Sequence, residues 1–592
     1  MSFESKNHKS HIRWLVYHLS NQKFFLFIVL LGIFIVTSLR TLIPIILGVI
    51  VDDTLLTKDM ENLVFLLSLA LVIYLSRNIM DYLTMMAGHF LGMHIEQNMR
   101  QEFFDSIQQK PLRFHDKART GDLQALTTND LRVINTMISH GSFYIYPFMQ
   151  GFMALFWIYF TLDIMLSIFC TPFVILYLYF VIQYRKKIAP IAAERMVTHS
   201  NVAIVLQDSL SGASVVKAFN AEDVEYNKFG KAVADYRNNR IKESIVHARF
   251  YPLLVLYFVI GVSFLVGSYL VYQGQLSLGS LTALNLILIS LIDPTNMIFW
   301  ATNDMMSGFA ACKRLYDSLM TEDTEENGEK KTEWINDFKG KIEFQNVSFS
   351  YNINGDKTFP ILKNVSFVIE PNQRVALVGP TGCGKTTLIK LLMKLYQPQE
   401  GKILLDGIDI QEIPTAQLRR KLGYIEQEVF LFSRSIKENI AFGKPDASIE
   451  EIEAAAELAQ AHQFISEFQD GYETLVGERG VMLSGGEKQR IAIARAIVTD
   501  PDILILDDSA SALDSETEER INKAIDNAMK DRTTIIITHR LQTIRSSDKI
   551  LVLKKGEIVA EGDHSSLLRS SEDYRRIFGK KISLPQITEI KT

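Results

Sequence analysis

Six long apolar runs occupy the first 300 residues of the chain, and they restrict its fold more than any other feature does. They cover residues 24–51, 62–88, 142–160, 164–184, 251–272 and 279–300. Runs of 18 or more apolar residues are typical of helices that cross a membrane. As a helix, the first run would extend roughly 40 Å, enough to cross a bilayer with some tilt. The sequence therefore predicts a helical domain with six membrane spans.

The distribution of positive charge orients these spans. The segments 89–141 and 185–250 are long and rich in Lys and Arg. The short segments 52–61 and 273–278 together contain a single positively charged residue, Lys58. The positive-inside rule then places both termini and the two long segments in the cytoplasm, as expected for a multi-pass protein of the cell membrane. The first run is too long and too far from the N-terminus for a cleavable signal, so we expect a permanent anchor.

The leader, residues 1–23, has a helical pattern of its own. Ile12, Leu15, Val16 and Leu19 recur at i, i+3, i+4 and i+7. This spacing predicts a short amphipathic helix that lies in the membrane interface. The alternative is a frayed polar leader.

The composition supports a chain with two unlike parts. Hydrophobic residues make up 48% of the 592 residues and charged residues 22%, an average between a membrane domain and a soluble one. The net charge of −5 argues against binding through bulk positive charge, so no nucleic-acid partner is expected. Cys170, Cys312 and Cys383 are too few and too scattered for a disulfide framework or a zinc site.

The sequence pattern changes after residue 320. Residues 321–340 are charged and rich in turn-forming residues, as in a linker. Beyond them, short β-branched runs alternate with helical stretches, which predicts an α/β domain with a largely parallel sheet. The predicted divisions are a leader (1–23), a membrane domain (24–320), a linker (321–340), an α/β domain (341–580) and a tail (581–592).

A glycine-rich motif follows the apolar run Val375–Val378 in the α/β domain. It consists of Gly379, Pro380, Thr381, Gly382, Cys383, Gly384, Lys385, Thr386 and Thr387, and it matches G-x-x-x-x-G-K-[ST] between a strand and a helix. Such glycines let backbone N–H groups surround phosphate oxygens, and the helix N-terminus adds positive charge. Lys385 would reach the β- and γ-phosphates, and the Thr386 hydroxyl would bind Mg²⁺. Asp507, which ends an apolar strand, would supply a carboxylate for the same metal.

The segment Leu483–Arg490, LSGGEKQR, lies between the phosphate loop and that strand. It resembles the signature of ATP-binding-cassette ATPases. With six predicted spans in front, residues 10–580 resemble a half-transporter of the ABC exporter family. The resemblance implies a multidomain protein, with an all-α polytopic membrane domain followed by an α/β P-loop NTPase domain of ABC type. It also implies an ATPase that uses ATP and Mg²⁺.

The resemblance assigns roles to single residues. Tyr351 is similar to the aromatic residue that stacks on adenine, and His539 to the switch histidine that contacts the γ-phosphate. Gln427 is similar to the glutamine that touches Mg²⁺ and senses the membrane domain. The implied metal ligands are Thr386, Gln427 and Asp507, and the implied catalytic residues are Asp508, His539 and Gln427.

The signature implies that a second ABC half-transporter is needed. Ser484, Gly485, Gly486 and Glu487 open a helix, so they would form a second anion-binding helix terminus within one domain. Since one chain has one phosphate loop, this terminus must close on ATP held by a partner. By resemblance, Asp514 lies in the loop that communicates across such a dimer.

Asp508 departs from the family pattern. The family usually has glutamate there, which polarises the attacking water, and aspartate is one methylene shorter. Its carboxylate should sit roughly 1.5 Å farther from the water, and a displacement of about 1 Å can cost about a hundredfold in rate. We therefore expect slow hydrolysis at this chain's own site. The alternative is that Asp508 works nearly as well through an altered backbone.

Asp508 also bears on the partner. Heterodimeric ABC exporters often carry such an aspartate in one subunit, while the other keeps glutamate but has an eroded signature. A heterodimer is therefore expected. Because His539 and Gln427 are retained, a homodimer with two slow sites stays open, as does a non-pumping ATP-gated channel or regulatory membrane protein.

The cytoplasmic loops and the cargo are also constrained by the resemblance. Pro111–Asp122 and Gln207–Phe219 resemble exporter loops whose tips dock on ATPase domains as short helices. Within the spans, three polar residues are candidates for a cargo path: Arg40, Asp293 and Asn296. The alternative is that they reflect pairing between helices or a kink at Pro294. The expected cargo is a hydrophobic or amphipathic drug or lipid, moved across the bilayer that surrounds the protein.

Overall fold

The computed structural model describes residues 10–55, 60–161, 164–250, 252–321, 338–352, 358–477, 480–507, 515–538 and 540–578. The chain divides into two compact units, each of which is considered by itself. The first comprises Met1–Gln109 and Ala118–Glu322, and the second comprises Lys110–Lys117 and Asp323–Thr592. The tip of the first predicted cytoplasmic loop therefore belongs to the second unit.

The first unit is built from α-helices. In chain order they are α1 (His11–Asn21), α2 (Lys23–Val49), α3 (Met60–Gln108), α5 (Thr120–Ala125), α6 (Leu131–Ser139), α7 (Gly141–Thr161), α8 (Ile164–Ser211), α9 (Ala213–Ala218), α10 (Glu222–Phe250), α11 (Pro252–Tyr272), α12 (Leu278–Ile289) and α13 (Ile292–Leu319), and α4 (Leu112–Lys117) belongs to the second unit. Two short π-helical segments, Ile50–Leu55 and Leu126–Asp130, continue α2 and α5.

Five helical stretches of the described residues are long and apolar enough to cross a membrane. They are Lys23–Thr54, Met60–Gln108, Thr120–Phe160, Leu253–Tyr272 and Leu278–Met297. The fourth predicted span, 164–184, falls within α8, several of whose side chains lie outside the described residues. A span needs about 20 residues, so α3 and α8, with 49 and 48 residues, are long enough to continue well beyond a bilayer.

Small residues let these helices approach closely. A Cβ on Gly32 of α2 would lie 2.1 Å from Thr84 Oγ1 on α3. A Cβ on Gly279 of α12 would lie 2.1 Å from the carbonyl oxygen of Gly48. Because lipid supplies no hydrophobic drive between spans, such close packing is a main source of helix association.

An ion pair joins the first and last of the predicted spans. Arg40 Nη2 on α2 lies 2.6 Å from Asp293 Oδ2 on α13. The structure thus shows the interhelical pairing that the sequence offered as one of two alternatives for these residues. Removing either partner would leave a charge inside a membrane segment, where unpaired charges are costly.

The predicted leader helix is present as α1. Ser10 caps it by accepting a hydrogen bond from the Ile12 amide at 3.3 Å. Its buried face consists of Trp14, Leu15 and His18. The Trp14 Nε1 and His18 Nε2 atoms lie 3.2 and 2.9 Å from Glu102 Oε2 on α3, so α1 is fastened to that long helix.

The second unit contains an α/β domain with two sheets. Its strands are β1 (Ile342–Asn352), β2 (Thr358–Ile369), β3 (Arg374–Val378), β4 (Glu400–Leu405), β5 (Ile408–Asp409), β6 (Leu422–Ile425), β7 (Ile503–Asp507), β8 (Thr533–Ile537), β9 (Lys549–Lys554) and β10 (Glu557–Gly562). One sheet has the order β2-β1-β4-β5 and is antiparallel. The other has the order β10-β9-β3-β8-β7-β6, with β10 antiparallel to β9 and the rest parallel.

The helices of this domain connect and flank the sheets. They are α14 (Lys385–Leu392), α15 (Thr415–Arg420), α16 (Ile436–Ile440), α17 (Ile449–Leu458), α18 (His462–Glu467), α19 (Gly485–Ile497), α20 (Ser515–Ala528), α21 (Leu541–Arg545), α22 (His564–Ser570) and α23 (Glu572–Phe578). Every residue of β7 and β8 is buried, which explains their continuous apolar and β-branched sequences.

Three hydrophobic cores hold the described part of this domain together, and two of them include residues next to the phosphate loop and the signature. We call the first the phosphate-loop cluster; it includes Leu377, Leu388, Leu392, Ile505 and Leu551. We call the second the signature cluster; it includes Ile425, Leu483, Ile491, Leu504 and Ile521. The two faces of β7 contribute to both cores, because Leu504 and Ile505 point in opposite directions.

Candidate nucleotide site

The predicted phosphate loop lies at the carboxyl edge of the parallel sheet. It follows β3 and leads into α14, as the motif requires. Because carboxyl ends of parallel strands share one edge, the loop after β3 and Asp507 at the end of β7 lie on the same side of the sheet. Strand β6 pairs in parallel with β7, so Gln427, two residues past β6, leaves the sheet at that edge as well.

Two positions in the loop require glycine for steric reasons. Gly384 has φ +111°, and a Cβ there would lie 2.7 Å from Leu362 Cδ2. A Cβ on Gly379 would lie 2.2 Å from the carbonyl oxygen of Leu553. Both contacts are far shorter than a carbon atom tolerates. The two glycines therefore let the loop backbone pack closely against β2 and β9, which holds the loop in place.

Lys385 reaches back across the loop from the first turn of α14. Its Nζ donates to the carbonyl oxygens of Gly379 at 2.8 Å and Pro380 at 3.2 Å, and the residue is only 9% exposed. Cys383 Sγ lies 3.9 Å from the same Nζ. Burial raises the pKa of the Cys383 thiol, and the positive charge of Lys385 partly opposes this effect. The ammonium group is thus held over the backbone that would surround phosphate.

Two oxygen-bearing side chains meet beside the loop. Thr386 Oγ1 donates to Asp507 Oδ2 at 3.3 Å, and Asp507 is 4% exposed. A hydroxyl and a carboxylate this close are hard oxygen ligands of the kind that Mg²⁺ prefers. Asp507 also acts on Tyr424 on β6. Burial and the nearby Asp507 carboxylate both raise the pKa of Tyr424. These residues fit a Mg²⁺ ion next to bound phosphates.

Tyr351 is held close to the phosphate-loop helix. Its Oη lies 3.4 Å from Thr387 Oγ1, and its ring meets that of Tyr396 edge to face with centroids 5.1 Å apart. Tyr396 Oη in turn donates a hydrogen bond to the Asp116 carboxylate on α4. Burial and the Asp116 carboxylate raise the pKa of Tyr396, so its hydroxyl stays protonated and able to donate. Lys390 Nζ on α14 lies 3.8 Å from the same carboxylate.

The predicted signature residues open α19. Ser484 is the N-cap, and it forms a capping box with Glu487: the Ser484 amide and hydroxyl donate to Glu487 Oε2 at 2.7 and 2.8 Å, and the Glu487 amide donates back at 3.4 Å. Ser484 and Gly485 are exposed, whereas a Cβ on Gly486 would lie 2.2 Å from Thr517 Cγ2. This helix packs in the signature cluster, while α14 packs in the phosphate-loop cluster.

The structure brings some predicted residues together and leaves others apart. Lys385, Thr386, Asp507 and Tyr351 gather around the phosphate loop. Ser484 and Gly485 are exposed at the start of α19, a helix that packs in the signature cluster. Three predicted residues lie outside the described part of the chain: Asp508, Asp514 and His539. Of these, Asp508 directly follows the last residue of β7 and His539 follows Thr538, which comes after β8.

Sequence reasoning missed a link between the Gln427 segment and the signature helix. Arg495 on α19 donates from Nε to the Asn439 carbonyl at 2.9 Å, from Nη2 to Asn439 Oδ1 at 3.0 Å and from Nη1 to the Phe430 carbonyl at 3.0 Å. Burial lowers the pKa of Arg495, and the negative charge of Glu426 opposes this. The segment that follows Gln427 is therefore tied to the helix that carries Ser484. Arg495 sits just beyond the LSGGEKQR string, and no local pattern pointed to it.

Comparisons with known proteins identify the chain. Residues 26–295 match a family model described as the ABC transporter transmembrane region, and residues 362–511 match one described as ABC transporter. An ATP-dependent lipid A-core flippase from Syntrophus aciditrophicus is 33% identical, over 89% of this chain and 87% of the flippase. The chain belongs to the ABC transporter family.

Other relatives of this ABC transporter are similar over nearly the whole chain. The putative multidrug export ATP-binding/permease protein YgaD from Bacillus subtilis is 32% identical over 93% of this chain and 95% of its own length. The solved structure of a bacterial Atm1-family ABC exporter with ATP bound has a TM-score of 0.76 and 30% identity, covering 95% of this chain and 98% of that one. This ABC transporter is accordingly a membrane protein with a cytoplasmic ATPase domain, and it uses ATP with Mg²⁺.

Proposed function

We propose that this ABC transporter exports a hydrophobic or amphipathic molecule, a lipid or a drug, across the cell membrane together with a distinct second half-transporter. The observation that carries the proposal is the separation of the phosphate loop from the exposed signature within one unit. A chain built in this way holds half of each ATP site. The names of the relatives, a lipid A-core flippase and a putative multidrug exporter, support the cargo class.

At this chain's own site, each residue has a definite task. Lys385 and the loop amides bind and orient the phosphates, and Tyr351 supports the adenine. Thr386, Asp507 and Gln427 hold Mg²⁺, which when bound neutralises charge on the phosphate oxygens. His539 contacts the γ-phosphate from the segment after β8. Ser484 and the turn it caps serve the ATP that the partner holds, and Asp514 acts across the dimer.

Slow hydrolysis at this site follows from Asp508. Aspartate is one methylene shorter than the glutamate that the family usually has at this position, so its carboxylate would sit farther from the attacking water. Catalytic geometry is sensitive to displacements of about 1 Å. The site then mainly holds the two ATPase domains together. The intact signature serves a competent site in the partner, which explains why one chain keeps one motif and changes the other.

Weighing the native complex tests the partner. This chain is tagged in its native host, extracted in mild detergent and purified, and the mass and composition of the complex are measured. A similar but distinct subunit of about this size supports the heterodimer. Two identical copies refute it and favour a homodimer with two slow sites.

Two functional measurements test the rest. Steady-state ATPase of the purified chain without a partner should be low, because one chain holds only half of each ATP site. In the native complex, Asp508→Glu should raise the ATPase rate, whereas Asp526→Glu, the same change on the exposed face of α20, should leave it unchanged. Full ATPase of the chain alone, or an ATPase rate of the complex that Asp508→Glu does not alter, would sink the slow-site proposal. In vesicles, ATP-dependent accumulation against a gradient is expected for an exporter, and flux only down a gradient would indicate a channel.

A further inference from the structure

A polar cluster lies among the spans of the first unit and is separate from the ATP site. It includes the Arg40–Asp293 ion pair. Thr41 follows Arg40 on α2, and Ser290, which comes after α12, lies about one helical turn before Asp293. Gln150 on α7 hydrogen-bonds with both Thr41 and Ser290. Tyr146, one turn before Gln150 on the same helix, is close enough to Arg40 for the arginine to act on its hydroxyl, so the ion pair and Gln150 belong to one group.

The ion pair is accessible from one side only. The side chain of Arg40 is 11% exposed, whereas that of Asp293 is 69% exposed although Oδ2 is engaged by the arginine. A carboxylate in a membrane span is costly against lipid, so such residues face a polar path or a partner. A molecule that enters this region therefore meets the carboxylate before it meets the guanidinium.

Gln150 has a buried acceptor atom that the fold leaves unused. The residue is fully buried, and its Nε2 donates to Thr41 Oγ1 and to Ser290 Oγ, both at 3.2 Å. Both hydroxyl protons are already committed, to the Thr37 carbonyl at 2.8 Å and the Ile287 carbonyl at 2.7 Å. The two hydroxyls can therefore only accept from Gln150, which fixes the orientation of its amide.

In this orientation Oε1 points away from both hydroxyls. It has no hydrogen-bond partner within the described residues, and a buried acceptor without a donor costs about 1–3 kcal/mol. An exposed carboxylate and an unpaired carbonyl oxygen in one cluster both call for a donor that carries positive charge.

We infer that this cluster is a cargo subsite for amphipathic molecules with a protonated amine. Asp293 selects for the positive charge, and Gln150 Oε1 accepts one of the N–H groups. Arg40 positions the Asp293 carboxylate through the ion pair between them. The inference rests on the proposed export function and adds to it the chemical class of the cargo.

Three matched probes test the subsite. They are a dansyl-labelled pentylamine, its N-acetyl derivative, which is neutral, and its trimethylammonium derivative, which is charged but has no N–H. The native complex is reconstituted in liposomes, and the apparent affinity and ATP-dependent uptake of each probe are measured. The wild type should prefer the primary amine to the neutral probe at least about tenfold, as a charge-assisted hydrogen bond provides. It should also prefer the primary amine to the trimethylammonium probe.

Two variants, Asp293→Asn and Gln150→Leu, separate the contribution of the carboxylate charge from that of the N–H acceptor. Asp293→Asn should bring the amine and the neutral probe to equal affinity, while Asp53→Asn, the same change near the outer end of the first span, should keep the preference of the wild type. Gln150→Leu should abolish only the preference for the primary amine over the trimethylammonium probe. Arg40→Leu combined with Asp293→Leu removes both charges without leaving one unpaired, and it should bind the neutral probe like the wild type.

Several results would overturn the subsite. One is equal affinity of the wild type for all three probes, and another is an Asp293→Asn variant that behaves like Asp53→Asn. If Asp293→Asn instead dissociates the complex while probe selectivity stays unchanged, the carboxylate binds a cation of the partner subunit. If neither these probes nor any lipid or neutral drug is moved against a gradient, the export function itself fails, which is a different outcome.

Discussion

Arg495, on the helix that the signature opens, holds Asn439 through both its carbonyl oxygen at 2.9 Å and its side-chain oxygen at 3.0 Å. Asn439 in turn donates from Nδ2 to the Phe432 carbonyl at 3.0 Å. The segment that begins at Gln427 is thus fastened to α19 by one guanidinium. A movement of either the segment or the helix must carry the other with it.

Arg495→Ala should lower both stability and ATPase activity. The variant removes three hydrogen bonds from a charged donor and leaves two backbone carbonyls without this partner, so we expect a loss of about 3 kcal/mol in unfolding free energy. Thermal unfolding and steady-state ATPase of the detergent-purified protein measure the two effects. Arg576→Ala, whose side chain is 70% exposed, is the control and should change stability by less than about 0.5 kcal/mol. Equal behaviour of the two variants would contradict the role of Arg495.

Ser484→Ala should impair hydrolysis far beyond its effect on folding. The same domain contains a second capping box, Ser448 with Glu451 on α17, which is a matched reference. Loss of either cap should cost about 1 kcal/mol. ATPase of the complex should fall at least about tenfold in Ser484→Ala and stay near the wild-type value in Ser448→Ala, because in the proposed function Ser484, unlike Ser448, contacts the nucleotide of the partner. A similar small loss in both variants would show that Ser484 is only a helix cap.

Gly384→Ala and Gly382→Ala should differ although both replace a left-handed glycine. Gly382 has φ +78° and open space around its Cβ position, whereas a Cβ on Gly384 would collide with Leu362. Gly382→Ala bears only the left-handed penalty of roughly 1–2 kcal/mol. Gly384→Ala must also displace the loop, so we expect it to lower nucleotide affinity much more. Titration with a fluorescent ATP analogue gives both affinities, and equal losses would mean that the steric contact does not matter.

Tyr396→Phe should weaken the connection between α4 and the ATPase domain without weakening ATP binding. The substitution keeps the ring that packs against Tyr351 and removes only the hydroxyl that bonds Asp116. We expect a smaller stimulation of ATPase by cargo and an unchanged affinity for ATP. Cargo-stimulated and basal ATPase rates are compared in the same preparation. A lowered ATP affinity with normal stimulation would place the role of Tyr396 in the nucleotide site instead.

Alkylation of Cys383 should be slow at neutral pH and faster in alkali. Burial raises the pKa of this thiol, so the reactive thiolate is scarce at pH 7. At pH values below the pKa, the thiolate fraction increases about tenfold for each unit by which the pH is raised. Bound ATP should protect the residue, and modification should abolish nucleotide binding. The rate of maleimide incorporation against pH, followed by peptide mass analysis, measures this, with Cys383→Ala as the unreactive control. A rate that does not change with pH, or one that ATP does not affect, would contradict the prediction.

Much of the ATP site could be predicted because its motifs are continuous in sequence. The phosphate loop depends on glycines that permit an unusual backbone, and both the strand before it and the helix after it were predicted. The end of this helix, at Leu392, does not follow from the motif. Lys394 adopts φ +54° and donates to the Ile413 carbonyl at 2.9 Å, a contact that depends on a distant segment. By contrast, the start of α19 at Gly485 agrees with the prediction that the signature residues open a helix, because Ser484 caps it.

What the sequence alone determined is therefore local: apolar runs long enough to span a bilayer, a phosphate loop, a signature and the aspartate at position 508. Only the tertiary structure decided which residues hold these parts together. It paired Arg40 with Asp293, 253 positions apart, joined Tyr396 to Asp116, and left an acceptor of Gln150 without a donor. Backbone conformation and hydrophobicity act over a few residues and can be seen in one segment. Hydrogen bonds and ion pairs between distant segments arise only when the packed fold brings their atoms within about 3 Å of each other.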